Sequence, residues 1–222
     1  MTFLKSLQKV VTALAVAVIV FSVVSFSGFG VATAKADTAL PADTDSSLQL
    51  DAKAAIAVDA NTGQILYAKN ADQALPVASM SKLMTAYMVL QAINNGKLKW
   101  DQKVTPGKAA QEVSQDTTLS NVPLKEGHSY TVRELYQATL IYSANGAAMA
   151  LADAVGGTQK NFIDLARKEA KKMGLKDVEL YTANGLANGE VRDGKYPGAA
   201  DDAENKFSAK DMALLSQRLI KD

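Results

Sequence analysis

Strand-forming sequence is confined to one short part of this chain. Two apolar runs, Ala55–Val58 and Gln64–Ala68, flank the turn residues Asp59-Ala-Asn-Thr-Gly63, and this pattern predicts a β-hairpin. The sequence that follows the hairpin is dominated by helical periodicity. Because a two-stranded hairpin is not stable alone in water, it must join a larger sheet or pack against helices. The sequence therefore predicts two strands followed by helices, and a sheet of only two strands is unusual for a chain of this size.

Five helices are predicted from apolar residues at helical spacing and from terminal signals. A capping box, Thr131-Val-Arg-Glu134, starts the second helix, whose Leu135, Ala138 and Ile141 are expected to face inward. Residues 97–130 and roughly 188–206 have no such period and are expected to be irregular. The predicted helices run from just after Pro76 to Gly96, from Thr131 to about Tyr142, from Ala147 to Val155, from Thr158 to Met173 and from Ser208 onward.

The N-terminal part of the chain differs in composition from the rest. Two lysines precede a long apolar run, Val10–Val31, which is followed by the small-residue pattern Ala34-Lys35-Ala36. This arrangement predicts a signal peptide over residues 1–36 and, after it, a polar linker over residues 37–50. The alternative is an uncleaved membrane anchor, since the run is nearly long enough to span a bilayer. The signal peptide predicts an extracytoplasmic protein, secreted or associated with the cell envelope.

Composition excludes several classes of function. The chain has 24 basic and 23 acidic residues, so we expect no nucleic-acid partner. It has no cysteine, which excludes a thiol nucleophile and metal–thiolate sites, and we expect neither a metal nor another cofactor. The only histidine, His128, lies in the polar sequence KEGHSYT and is expected at the surface. A hydrolase of this composition would need a general base other than histidine.

The tetrapeptide Ser79-Met-Ser-Lys82 could provide an activated nucleophile. Residues three apart at the start of a helix lie on one face, so Ser79 and Lys82 could meet. A serine hydroxyl is a poor nucleophile until a neighbouring base takes its proton, and a lysine with a lowered pKa can be that base. The alternative is an ordinary helix start with a solvated lysine, and Ser81 is expected to be a residue of this cap region.

A second polar motif, Ser143-Ala-Asn145, interrupts two helical runs. A short loop there could present both side chains to a cleft. Serine can relay a proton, and an asparagine amide can both donate and accept hydrogen bonds. The alternative is a helix stop and restart, because serine and asparagine favour such positions in any protein.

Together these motifs resemble those of serine acyltransferases that react with penicillin, for which S-x-x-K, S-D-N and K-T-G are characteristic. The segments AAIAVDANTGQILYAKNADQALPVASMSKLMTAYMVL and PLKEGHSYTVRELYQATLIYSANGAAMALADAVGG, in that order, are similar to the D-alanyl-D-alanine carboxypeptidases, the low-molecular-mass penicillin-binding proteins. The resemblance covers about 52–222. It implies an α/β fold of the α+β type, β-lactamase/transpeptidase-like, with an antiparallel sheet flanked by helices and a helical subdomain.

The chain departs from the pattern of this family at two points. Gly146 follows the second motif where the family usually has aspartate, and no K-[ST]-G occurs in the sequence. We therefore expect residues 51–222 to be the N-terminal part of a catalytic domain, with the hairpin and the helical part only, truncated before the third motif. Such a fragment is expected to be inactive or poorly folded.

The resemblance also implies roles for individual residues. Ser79 would be the nucleophile, Lys82 the general base, Ser143 a proton relay and Asn145 a substrate-binding residue. The substrate would be a peptidoglycan stem peptide ending in D-Ala-D-Ala, β-lactam antibiotics would be inhibitors, and membrane contact would be possible through segments not in this chain. Two alternatives are a β-lactamase and a non-catalytic, secreted wall- or penicillin-binding domain.

One acidic residue competes for a role in the β-lactamase alternative. Class A β-lactamases activate water with a glutamate in an E-x-x-x-N pattern downstream of the second motif. Starting from Glu179, that pattern needs asparagine at Ala183, but the asparagine is Asn184. Glu179 is therefore expected to be structural.

Overall fold

The computed structural model describes Leu48 and residues 50–221. The predicted signal peptide, residues 1–36, and nearly all of the predicted linker, residues 37–50, lie outside this part of the chain. Within the described residues, no helix is both long and apolar enough to cross a membrane.

The predicted hairpin is present, and its turn explains its position. Strands β1 (Ala55–Val58) and β2 (Ile65–Lys69) pair antiparallel, with Ile56 opposite Ala68. The Asp59 carboxylate accepts hydrogen bonds from the main-chain nitrogens of Asn61 and Thr62, at 3.0 and 2.7 Å. These bonds are typical of an aspartate that closes a turn on its own backbone. The second strand therefore starts one residue later than predicted.

Two further antiparallel pairs are only two residues long. Strand β3 (Leu75–Pro76) pairs with β6 (Lys206–Phe207), and β4 (Lys103–Val104) pairs with β5 (Tyr130–Thr131). The β3–β6 pair ties the chain just before Ser79 to the chain just before the last helix. Pairs this short lack the alternation by which a strand is recognised in a sequence.

The five predicted helices are all found, and the described residues contain one more. Helix α2 lies in a segment that was expected to be irregular, so that expectation was wrong; α2 is too short to show a helical period. The helices are α1 (Lys82–Asn94), α2 (Lys108–Ser114), α3 (Val132–Ile141), α4 (Asn145–Gly156), α5 (Gln159–Met173) and α6 (Ala209–Lys221), and two 3₁₀ turns span Ala78–Ser81 and Asn188–Gly194.

The predicted N-caps are confirmed, but one predicted core position is wrong. Thr131 and Glu134 form the capping box of α3, and the hydroxyls of Thr158 and Ser208 accept from main-chain nitrogens of α5 and α6. Ile141 is 74% exposed rather than inward. The buried face of α3 carries Thr139, whose hydroxyl donates to the Leu135 carbonyl, and this face turns away before Ile141 is reached.

Helix α4 is the centre of the molecule. Every residue from Asn145 to Ala152 is buried, and half of them are alanines. Small side chains allow close packing from several directions, and α4 contacts α1, α2, α3 and α5. The N-terminus of α4 therefore comes to lie beside the N-terminus of α1, which brings the two sequence motifs together.

Candidate active site

The first motif folds as expected, with serine and lysine in contact. Ser79 lies in the 3₁₀ turn Ala78–Ser81, and Lys82 is the first residue of α1. The Lys82 Nζ donates a hydrogen bond of 2.8 Å to the Ser79 hydroxyl. Ala78 has a φ of +45°, which is strained for a residue with a side chain and turns the chain sharply just before Ser79. As a result Ser79 is exposed while Lys82 is buried.

The Lys82 ammonium is held by three acceptors, all of them uncharged. Besides the Ser79 hydroxyl, its Nζ donates to the Asn145 Oδ1 and to the Asn184 carbonyl, each at 2.8 Å. Burial lowers the Lys82 pKa from its usual value to about 8, because taking a charge out of water disfavours the charged form. At pH 7 about one molecule in ten then carries a neutral amine that can accept a proton.

The second motif brings Asn145 to the lysine with a defined orientation. Asn145 is the first residue of α4 and is 2% exposed. Its main-chain nitrogen and its Nδ2 both donate to the Ser120 carbonyl, at 3.0 Å each. This arrangement fixes the side-chain amide so that Oδ1 faces Lys82.

Ser143 is next to this cluster in the chain but is not bonded to it. It lies between α3 and α4, is half-buried and has a φ of +54°. Among the described residues, no hydrogen bond joins its hydroxyl to Ser79 or Lys82. The left-handed backbone at Ser143 allows a connection of only three residues between the two helices. A proton-relay role for Ser143 therefore stays a prediction.

The contacts that sequence reasoning missed are made by main-chain carbonyls. The carbonyl of Asn184 binds Lys82, that of Ala183 accepts from the Thr85 hydroxyl at 2.6 Å, and that of Ser120 binds Asn145. Any residue type can offer a carbonyl, so the sequence has no signal for these partners.

The residues that were expected to be structural lie away from Lys82. The Glu179 carboxylate accepts from the Tyr181 hydroxyl at 3.1 Å and from the Lys206 Nζ at 3.3 Å. His128 is exposed and packs edge-on against Tyr130. In the part of the chain that the structure describes, no cluster of three or more acidic, histidine or cysteine side chains is arranged to hold a metal ion.

Gly146 fits because helix α2 packs directly against it. A Cβ at this position would lie 2.5 Å from the Ala110 carbonyl oxygen and 2.6 Å from the Ser114 Cβ, both on α2. Its main-chain nitrogen donates to the Asn121 Oδ1 at 3.0 Å. An aspartate at this position, as the resemblance would suggest, needs more room than α2 leaves.

The chain is similar to several known proteins. The chain is 38% identical over 170 residues to the D-alanyl-D-alanine carboxypeptidase DacC of Escherichia coli, covering 75% of this chain and 39% of the relative. It is also similar to solved structures. Penicillin-binding protein 3 of Streptococcus pneumoniae, a peptidoglycan synthesis regulatory factor, gives a TM-score of 0.76 at 41% identity, covering 79% of this chain and 48% of the other. Penicillin-binding protein D2 of Listeria monocytogenes in its cefotaxime-bound form gives 0.64 at 34% identity, covering 78% and 64%.

These similarities agree on the fold and on the family. The solved structures have the expected penicillin-binding protein fold of the α+β type. The chain spans about two fifths of the length of the curated relatives it matches. A sequence profile described as D-alanyl-D-alanine carboxypeptidase matches residues 41–222, which is most of the chain. The chain therefore belongs to the D-alanyl-D-alanine carboxypeptidase family.

Proposed function

We propose that the intact protein is a serine-type D-Ala-D-Ala carboxypeptidase that removes the terminal D-alanine from peptidoglycan stem peptides. The observation that supports this most strongly is the buried Lys82, with a lowered pKa, in contact with an exposed Ser79 hydroxyl. A lysine that is partly neutral near neutral pH is suited to act as a general base. Relatives named as D-alanyl-D-alanine carboxypeptidases supply the substrate class.

In the proposed acylation step, neutral Lys82 takes the proton of the Ser79 hydroxyl. The serine oxygen attacks the carbonyl carbon between the two D-alanines and forms a tetrahedral intermediate. When the C–N bond breaks, the proton that Lys82 took from Ser79 passes to the leaving amine of D-alanine, and Lys82 is neutral again; we assign that transfer to Ser143. Ser79 is left as an ester of the shortened peptide.

In the proposed deacylation step, water attacks this ester with loss of its proton to Lys82. The C–O bond to Ser79 breaks, the serine oxygen regains a proton, and the shortened peptide leaves with a new carboxylate. Asn145 is proposed to orient the acyl group through the side-chain N–H that Ser120 does not take. Removing a nucleophile or its base in such a unit typically lowers the rate by several orders of magnitude.

β-Lactam antibiotics are the proposed inhibitors. A β-lactam carbonyl would acylate Ser79 by the same attack and leave a slowly hydrolysed ester. Penicillin-binding protein D2 of Listeria monocytogenes, to which the chain is similar, has been solved in cefotaxime- and ampicillin-bound forms. We also propose that residues 1–36 direct export, which would place the enzyme at the cell wall where its substrate is.

The test is labelling of the intact mature protein with a fluorescent penicillin, followed over time beside Ser79→Ala and Ser81→Ala. Ser81 lies in the same turn and its hydroxyl is buried without a partner among the described residues, so Ser81→Ala is a matched control. We expect stable labelling of wild type and Ser81→Ala, and no labelling of Ser79→Ala. Wild type and Ser81→Ala should also release D-alanine from a peptide that ends in D-Ala-D-Ala, whereas Ser79→Ala should not.

Two other outcomes would contradict the proposal. Rapid loss of the label with hydrolysed antibiotic would indicate a β-lactamase. No labelling of folded wild-type protein would leave the non-catalytic binding domain as the function.

A further inference from the structure

Asn205 makes an unusual set of contacts for a residue outside both motifs. It is 1% exposed, and its side chain is bonded entirely to main-chain groups. The Oδ1 accepts from the main-chain nitrogens of Tyr181 and Thr182, at 2.7 and 3.1 Å, and the Nδ2 donates to the Thr182 carbonyl at 2.8 Å. Three such bonds in the interior hold residues 181–182 firmly, because a buried polar group without a partner is costly.

The main chain at Asn205 holds a second segment. The Asn205 carbonyl accepts from the Val77 nitrogen at 3.2 Å, and the next two residues pair with Leu75–Pro76 as strands β6 and β3. One residue therefore joins the chain that leads into the Ser79 turn to the chain at residues 181–182.

Both of these segments reach Lys82 within a few residues. Val77 is two residues before Ser79, and Thr182 is two residues before Asn184, whose carbonyl binds the Lys82 Nζ. The two segments also touch directly. Gly185 has a φ of +84°, and a Cβ there would overlap the Ala78 carbonyl. The Asn184 carbonyl is thus held from one side by Asn205 and from the other by this close approach.

We propose that Asn205 is a positioning residue for the acylation step. It fixes the Asn184 carbonyl against Lys82, and it thereby keeps the Lys82 side chain shielded from solvent and aligned with Ser79. This proposal depends on the base role proposed for Lys82. Asn205 does not touch the reacting atoms and acts only through residues 181–185 and 75–77.

The consequence of releasing this contact can be worked out from the surroundings of Lys82. Desolvation is the cause of its lowered pKa, and its three acceptors are neutral. The charged side chains that flank these segments, Glu179 before residues 181–185 and Lys206 after Asn205, pair with each other. If residues 181–185 move away, a water molecule replaces the Asn184 carbonyl as acceptor from the Lys82 Nζ. Lys82 then keeps a third hydrogen bond, but its ammonium group becomes exposed to solvent. The Lys82 pKa then rises toward its usual value.

The first test compares Asn205→Ala with Asn188→Ala in the intact protein. Asn188 is also 1% exposed, and its side chain makes three hydrogen bonds to the main chain of Tyr196 and Ala199. Neither of these two residues contacts Ser79, Lys82 or Asn145. The rate of acylation by a fluorescent penicillin is measured against pH, with thermal unfolding to verify folding. A rise of one unit in the Lys82 pKa would lower the neutral fraction at pH 7 about tenfold.

We expect the acid limb of the Asn205→Ala profile to move to higher pH by about that unit, and the Asn188→Ala limb to stay with wild type. An unshifted limb in Asn205→Ala, or an equal shift in both variants, would make Asn205 merely structural and overturn the proposal. A shift to lower pH would overturn it as well.

A second pair of variants answers the same question if Asn205→Ala does not fold. Gly185→Ala pushes the same segment off the Ser79 turn, and Gly174→Ala has the same backbone strain, with a φ of +83°, but no atom within 4 Å of the added Cβ. The upward shift is expected in Gly185→Ala alone. Its absence, with both proteins folded, would overturn the proposal.

A readout that does not need catalysis separates this inference from the proposed function. The NMR signal of the Lys82 side chain reports its pKa directly in each variant. If wild type is not labelled by penicillin, the proposed function fails. If the Lys82 pKa nevertheless rises in Asn205→Ala and not in Asn188→Ala, Asn205 still has the positioning effect that we infer; an unchanged pKa would refute it.

Discussion

Two segments position the groups that bind Lys82, and they are anchored by different kinds of interaction. Residues 181–185 are held by the neutral, fully buried side chain of Asn205. Residues 116–121 hold Asn145 through the Ser120 carbonyl, and they are anchored at Asp116 by an ion pair of 3.1 Å with Arg192 whose side chains are 25% and 45% exposed. The first anchor is shielded from solvent, whereas the second is open to it.

The 116–121 segment also has hydrogen bonds that do not involve Arg192. The Asp116 carboxylate accepts from the nitrogen and the hydroxyl of Thr118, and these bonds, more than Arg192, keep the Asp116 pKa below its usual value. Asn121 donates to the carbonyls of Val113 and Asp116 and accepts from the Gly146 nitrogen. The comparison indicates that neutral hydrogen bonds of asparagine side chains fix both segments, buried at residues 181–185 and partly buried at residues 116–121, and that the exposed charge pair is an addition at the rim.

The largest effect is expected from Lys82 itself, because it is buried and both segments position its hydrogen-bond partners. The unfolded lysine keeps its proton up to about pH 10.5, whereas the folded one loses it near pH 8. Between these values the unfolded state binds more protons, so the free energy of unfolding rises with pH. The rise that Lys82 contributes is at most about 3 kcal/mol, at about 1.4 kcal/mol per pKa unit.

This prediction is checked by urea unfolding of the intact protein between pH 7 and 10. Lys82→Met is the control, since it removes the titrating group and keeps a side chain of similar length. The difference in unfolding free energy between wild type and Lys82→Met should grow in favour of wild type as the pH rises. If this difference in unfolding free energy is the same at every pH, the Lys82 side chain is exposed to water in solution, and the burial described here is wrong.

The next largest effect tests the packing behind the 116–121 segment. Gly146→Ala would place a methyl group 2.5 Å from the Ala110 carbonyl oxygen, so α2 would have to move away from α4. We expect a loss of about 1–3 kcal/mol in unfolding free energy, the usual result of overpacking a well-filled core. Gly107→Ala is the control, because its Cβ would have an ordinary contact of 3.4 Å with Asp153. Equal losses in the two variants would show that α2 yields easily.

The two segments also show how far the sequence could predict this site. The contact between Ser79 and Lys82 was one of two outcomes that the sequence allowed, because side chains three residues apart at a helix start lie on one face. The arrival of Asn145 at Lys82 was predictable only from the resemblance to a family. The carbonyls of Asn184 and Ser120 were not predictable at all, since every residue has one and only the fold decides where it points.

The fold was predictable to a similar degree. The hairpin and five helices follow from local patterns, and their caps are where Thr131, Thr158 and Ser208 indicated. Helix α2 and the β3–β6 pair were missed because each is too short for a period and depends on packing against distant parts of the chain. Asn205 was missed because it lies in a stretch that was expected to be an irregular loop, and its contacts are with distant parts of the chain.

The smallest effect is expected at the ion pair, and it distinguishes the two anchors most directly. Arg192→Gln removes the charge that faces Asp116, and an exposed pair of this kind contributes less than about 1 kcal/mol to the unfolding free energy. That loss should disappear in about 1 M salt, where the screening length is only about 3 Å. The destabilisation by Asn205→Ala is measured in the same way, at low salt and at the high salt concentration. It should be unchanged by salt, because the hydrogen bonds of the Asn205 side chain are neutral and the side chain is buried. If both losses respond to salt alike, the contrast between a buried and an exposed anchor is wrong.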